Sequence, residues 1–262
     1  MIMGILNVTP DSFYDGGQLP DRETAVRHAL QMVDEGADII DIGGESTRPY
    51  AEPTPLHEEL ERVIPVIEGI RAASDVLISV DTYKASVARE ALGAGANMIN
   101  DISGLTYDRE MATAVAVRNC PVVLMHIKGT PRDMQADPYY DDVVVEIMDF
   151  FRERLDHATR SGISRENIIL DPGFGFGKRV EDNLRILKEL GRFKELGCPL
   201  LVGTSMKSTI GKVMDSPAFK ERVEGTMASV AVALMNGADI VRVHDVKRAR
   251  KVAMFVQAVM KV

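Results

Sequence analysis

The chain has 262 residues, 45% hydrophobic and 27% charged, with 31 Lys+Arg against 39 Asp+Glu. This composition excludes disordered and low-complexity classes, and no apolar run nears the roughly 18 residues of a membrane span. A formal net charge of −8 argues against nucleic acid or an anionic membrane as partner, because both reward a basic field.

In chain order, the first apolar run is Ile2–Leu6, which begins without a basic start or a small-residue cleavage site, so no signal peptide is expected. Seven more follow: Ile39–Ile42, Leu77–Val80, Met98–Ile99, Val122–Met125, Ile168–Leu170, Leu200–Val202 and Ile240–Val243. None alternates with polar residues, as expected of strands buried on both faces in a parallel sheet. Stretches of helical period separate them. Ala25, Val26, Ala29, Leu30 and Val33 share one face, and Val144, Ile147, Met148, Phe151 and Leu155 another. A Gly-Ala-polar repeat opens three of the runs, at Gly36-Ala37-Asp38, Gly95-Ala96-Asn97 and Gly237-Ala238-Asp239. Strict β/α alternation leaves an open doubly wound sheet or a closed barrel. Eight units in this length favour a single (β/α)8 TIM barrel over residues 1–262, with its active site at the C-terminal strand ends.

Read that way, almost every run stops at a residue able to do chemistry. These are Asn7, Asp41, Asp81, Asn100 with Asp101, His126 and Asp171, then Thr204, Ser205 and Lys207, and finally Arg242 and His244. Glu45-Ser46-Thr47-Arg48 follows the second run. Such a rim suits a polar heterocycle plus an anion. Gly173-Phe174-Gly175-Phe176-Gly177-Lys178 is one residue short of the phosphate-loop spacing and reads as a tight strand-to-helix turn, with both phenylalanines placed to stack on a flat ligand. Zinc-ligand patterns are missing, and Cys120 and Cys198 form no framework, which points to a reduced cytoplasmic protein. Two charge clusters, Lys247/Arg248/Arg250/Lys251 and Glu58/Glu59/Glu61, read as solvated helix faces.

Six motifs taken together resemble the dihydropteroate synthase family. They are Asn7-Val8-Thr9-Pro10-Asp11-Ser12-Phe13, Gly43-Gly44-Glu45-Ser46-Thr47-Arg48-Pro49, Asp81-Thr82-Tyr83-Lys84, Asn100-Asp101-Ile102-Ser103-Gly104, the Asp171–Lys178 stretch and Arg242-Val243-His244-Asp245. They run in order from Gly4 to Val246, nearly the whole chain. The resemblance implies a reaction in which a dihydropterin CH2-pyrophosphate exchanges pyrophosphate for the amine of 4-aminobenzoate. It also implies that Asp81, Asn100, Asp171 and Lys207 hold the pterin. Asn7, Thr47, Arg242 and His244 would then form the pyrophosphate site, with Mg2+ on Asn7. Phe176, Lys207 and Ser208 would line the aminobenzoate slot. Loops carrying Phe13, Asp15, Arg48 and Pro49 would close over it. Asp81, Lys207, Arg242 and His244 are the implied catalytic set, and a homodimer through C-terminal helices is implied as well.

Some positions have a plainer reading. Asp41 is expected to support the glycine turn after it, His126 to pack rather than titrate, and Asp101 to cap its loop while Asn100 faces inward. Two positions depart from the family: Met206 stands where Arg is usual, and Thr209 where an aromatic is usual. Two alternatives therefore stay open, a pterin-binding relative without turnover and a methyltransferase on the same barrel. The phosphate-side set Thr47, Arg48, Arg242 and His244 favours the synthase.

Overall fold

A computed structural model describes residues 1–9, 22–215 and 218–262. All eight apolar runs are strands: β1 (Ile2–Asn7), β2 (Ile39–Gly43), β3 (Leu77–Asp81), β4 (Met98–Asp101), β5 (Val122–Met125), β6 (Ile168–Asp171), β7 (Leu201–Val202) and β8 (Ile240–Val243). Helices alternate with them: α1 (Arg22–Asp34), α2 (Leu56–Arg71), α3 (Ala85–Ala94), α4 (Met111–Arg118), α5 (Val143–Arg160), α6 (Val180–Lys188), α7 (Ser208–Val213), α8 (Val223–Met235) and α9 (Val246–Met260). Each ladder is parallel, in the order β6-β5-β4-β3-β2-β1-β8-β7. A parallel bridge between Leu170 and Leu200 joins β6 to β7 and closes the (β/α)8 barrel.

Side chains alternate between the helix layer and the barrel interior along each strand. At the N-terminal end the interior is apolar, plugged by Met3, Ile39, Met98, Val123, Leu201 and Ile240. Two residues further along, the inward positions turn polar: Asp41 after Ile39, Asn100 after Met98 and Arg242 after Ile240. The barrel is therefore sealed at one end and charged at the other. In β2, β4 and β8 the switch comes one alternation into the strand.

The Gly-Ala-polar repeat has a specific task at the sealed end. Asp38 Oδ2 accepts from Ile2 N at 2.6 Å, Asn97 Oδ1 from Ile78 N at 2.9 Å, and Asp239 Oδ2 from Leu200 N at 2.8 Å. Each repeat thus takes the first free amide of the neighbouring strand, a buried donor that would otherwise cost free energy. Among the described residues no helix is long and apolar enough to cross a membrane.

Candidate active site

The charged end holds a compact ion network. Arg242 of β8 forks across two acids, with Nε to Asp41 Oδ2 at 2.6 Å and Nη2 to Asp81 Oδ2 at 2.7 Å. Asn100 faces inward as expected, its Nδ2 donating to Asp41 Oδ2 at 3.1 Å. Asp41, wholly buried, therefore orients Arg242 and Asn100 rather than supporting the glycine turn. Burial pushes Asp81 up to about 7 despite the pull of Arg242, with Asp41 and Glu59 adding to the rise. Burial opposes the charge on Arg242, but Asp41 and Asp81 outweigh it and raise its pKa.

Asp171 stands at the end of β6. Its Oδ1 accepts from Gly173 N at 2.7 Å, which leaves Oδ2 for a ligand. Burial raises its pKa, against the opposing charge of Lys207. Lys207 donates to the carbonyl of Phe174, and its ammonium lies 4.4 Å from the centre of the Phe176 ring. Burial lowers its pKa to about 8, while Asp171 raises it. Gly175 is required here because a Cβ would meet Lys207 Cδ at 2.9 Å, with the backbone at φ +85°. Phe174, at 1% exposure, belongs to the core and offers no face to a ligand, contrary to expectation; Phe176 alone of the pair lies at the mouth.

On the opposite side Ser205 Oγ accepts from His244 N at 3.2 Å and lies 2.9 Å from His244 Nδ1. His244 is exposed at the mouth. Even so, the protein packed around it, and then the charges of Arg242, Arg48 and Lys207, push its pKa down to about 4. Thr47 and Arg48 lie on the loop after β2, Ser208 opens α7 in an exposed position, and Asn7 ends β1. Phe13 and Asp15 lie outside the described residues.

Three other expectations have definite outcomes. Asp101 caps its loop, accepting from Ser103 N at 2.8 Å and Leu105 N at 2.9 Å. His126 is buried and packed: desolvation and then the neighbouring Lys178 hold its pKa well below the usual imidazole range, and Phe150 packs edge-on at 4.9 Å. Glu59 is not on a solvated face; it is 1% exposed and binds Thr82 and Lys84.

The two departures find structural roles. Met206, beyond the end of β7 at Val202, faces the helix layer. A left-handed backbone at φ 59° turns it outward, and Thr226 of α8 meets both its N at 3.1 Å and its Sδ at 3.5 Å. Arg222 donates to the Met206 carbonyl at 2.9 Å, so a guanidinium reaches this segment from another part of the chain. Thr209 Oγ1 accepts from Asn183 Nδ2 at 3.0 Å, and Asn183 Oδ1 accepts from Gly175 N at 2.6 Å. That chain of bonds steadies the glycine turn.

Lys178 is the contributor that spacing could not reveal. Its buried ammonium donates to the carbonyls of Gly173 and Phe176, both at 2.9 Å, and meets His126 Nδ1 at 3.0 Å. Only its place after a glycine run hinted at a constrained backbone.

Fold and site together define a barrel enzyme that holds a flat hydrogen-bonding ring beside an anion. Residues 3–244 match the family model for the pterin binding enzymes. Dihydropteroate synthase of Synechocystis sp. is 53% identical over 246 residues, 94% of this chain and 85% of that protein. Among solved structures, Xanthomonas albilineans dihydropteroate synthase with 4-aminobenzoic acid has a TM-score of 0.94 at 47% identity, covering 100% of this chain and 93% of the other. The same organism's enzyme in complex with 7,8-dihydropteroate gives 0.90 at 44%, covering 100% and 94%. The chain belongs to the pterin binding enzyme family, in its dihydropteroate synthase branch, and is a transferase.

Proposed function

We propose that the chain condenses 6-hydroxymethyl-7,8-dihydropterin pyrophosphate with 4-aminobenzoate to give 7,8-dihydropteroate and pyrophosphate. One observation carries this reading. A carboxylate-and-amide floor suited to an aminopyrimidinone shares one mouth with a cationic side suited to pyrophosphate.

The open oxygen of Asp171 and the Asp81 carboxylate accept the paired N–H groups of the ring, and Asn100 both donates and accepts. Lys207 donates to the ring oxygen and nitrogen. The methylene–oxygen bond breaks and its electron pair leaves with pyrophosphate; the amine nitrogen forms the new carbon–nitrogen bond and its proton goes to solvent. Arg242, His244 and Thr47 meet the developing negative charge, which lowers the barrier electrostatically. The aromatic amine is neutral near pH 7, so no strong base is needed. Phe176, Lys207 and Ser208 line its slot, and the loop carrying Thr47 and Arg48 closes over it.

Asn7 fits a magnesium ion that arrives with the phosphates. Its Oδ1 borders the bare face of Gly43, where a Cβ would lie 3.5 Å from that oxygen and 3.8 Å from Asp81 Oδ2. A single amide oxygen is a normal protein share for magnesium, which keeps waters and takes phosphate oxygens. Bound there, the ion would offset charge on the leaving group. Incubating the protein with both substrates and magnesium should yield dihydropteroate and pyrophosphate; no product overturns this reading. Calorimetry should find pyrophosphate affinity lost in EDTA, and an unchanged affinity overturns the metal assignment.

We place the protein in the cytoplasm as a homodimer. Its two cysteines are unpaired and buried, which suits a reducing compartment. Helices α8 and α9 expose Val232, Met235, Met254, Phe255 and Val259, an apolar face that suits a second copy. Sedimentation at micromolar concentration checks this, and a monomer there removes it.

A further inference from the structure

The loop between β2 and α2 stands on two pinned feet. At the first, Glu45 Oε1 accepts from Tyr83 Oη at 2.6 Å, Oε2 accepts from the Lys84 ammonium, and Arg62 Nη1 donates to Gly44 O at 2.9 Å. At the second, Thr54 N donates to Glu45 Oε2 at 3.1 Å and Lys84 Nζ to Thr54 O at 2.8 Å. Lys84 Nζ also lies 2.5 Å from Glu59 Oε2, and Thr82 Oγ1 donates to Glu59 Oε1 at 2.7 Å. Tyr50 N donates to Pro131 O at 2.9 Å and ties the outer limb to the loop after β5. Between these pins the side chains of Thr47 and Arg48 have no hydrogen bond among the described residues.

The arrangement is a fixed base under a free crest. Glu59, on α2 and 1% exposed, has no room to move, so the ammonium it holds has none either. Glu45 is bound to that ammonium, and Thr47 follows it by two residues. We propose that Lys84 is a positioning residue. Through Glu45 and Glu59 it fixes the height of the Thr47–Arg48 crest over the mouth, and with it the affinity for the amine substrate. This rests on the assignment of Thr47 and Arg48 to the substrate side made above.

The test compares Lys84→Met, Glu45→Gln and Lys84→Arg in the full chain. A small displacement of a binding group costs much of its contribution, so Lys84→Met and Glu45→Gln should raise KM for 4-aminobenzoate about tenfold, with kcat within about threefold. Affinity for a dihydropterin lacking pyrophosphate should stay within about twofold, and Lys84→Arg should recover part of the loss. Glu45→Gln keeps the Lys84–Glu59 pair, so it reports on the crest even if Lys84→Met fails to fold. A fall in kcat alone, matching the folded fraction, overturns the proposal. Calorimetry with 4-aminobenzoate, pyrophosphate and magnesium separates the two readings. Equal affinities in all variants overturn the role of Lys84. An inert wild type that keeps the expected order of affinities overturns only the assigned reaction.

Discussion

Replacing Asp171 by Asn is expected to weaken dihydropterin binding by about 2–4 kcal/mol, through loss of a charge-assisted pair and the facing of one donor by another. The argument starts from the two oxygens. Oδ1 is engaged by Gly173 N at 2.7 Å, so the amide oxygen of an asparagine would keep that bond and present its NH2 to the ligand. The turn stays folded while the open acceptor becomes a donor. Calorimetry with a dihydropterin reads the loss, and thermal unfolding checks that the turn survives. An affinity within a few fold of wild type would show that Asp171 does not hold the ring.

Lys207→Ala is expected to lower kcat/KM by on the order of a hundredfold or more, and Met206→Arg to change it by less than about tenfold, or roughly 1.4 kcal/mol. Lys207 sits between Asp171 and the Phe176 ring, where its charge answers the acid and its donors face the mouth. Met206 points the other way, onto Thr226, and Arg222 already brings a guanidinium to its carbonyl. An arginine at 206 would add a tether to the helix layer, not a group at the reacting atoms. Steady-state kinetics on the three proteins decides the matter. A wild type that is inert while Met206→Arg turns over would mean that the missing arginine was catalytic.

The strands could be read from the sequence because a strand buried on both faces is mostly apolar, and its run gives way to polar residues where the barrel mouth begins. That rule located Asp81, Asn100 and Asp171 as inward-facing strand ends. It failed beyond the strand ends. Met206 lies four residues past β7, where one left-handed residue decides its direction and period-two reasoning does not apply. Glu58, Glu59 and Glu61 look alike as a charge run, yet only Glu59 meets a lysine 25 positions away, and no local pattern reveals such a pairing. Phe174 and Phe176 likewise share one motif, and the backbone between them sends one into the core and one to the mouth.

The three amide locks at the sealed end of the barrel set a gradient along its axis. Ile2, Ile78 and Leu200 are buried residues whose amides are held by acceptors from the turn that leads into the next strand, so they open to solvent only when the barrel itself comes apart. The side chains of Thr47 and Arg48 have no such hold among the described residues. Shape and chemistry are therefore kept at opposite ends of one molecule and answer to different residues. Change at 206 or 209 is absorbed locally by Thr226 or Asn183, while change at 38, 97 or 239 frees a strand's first amide.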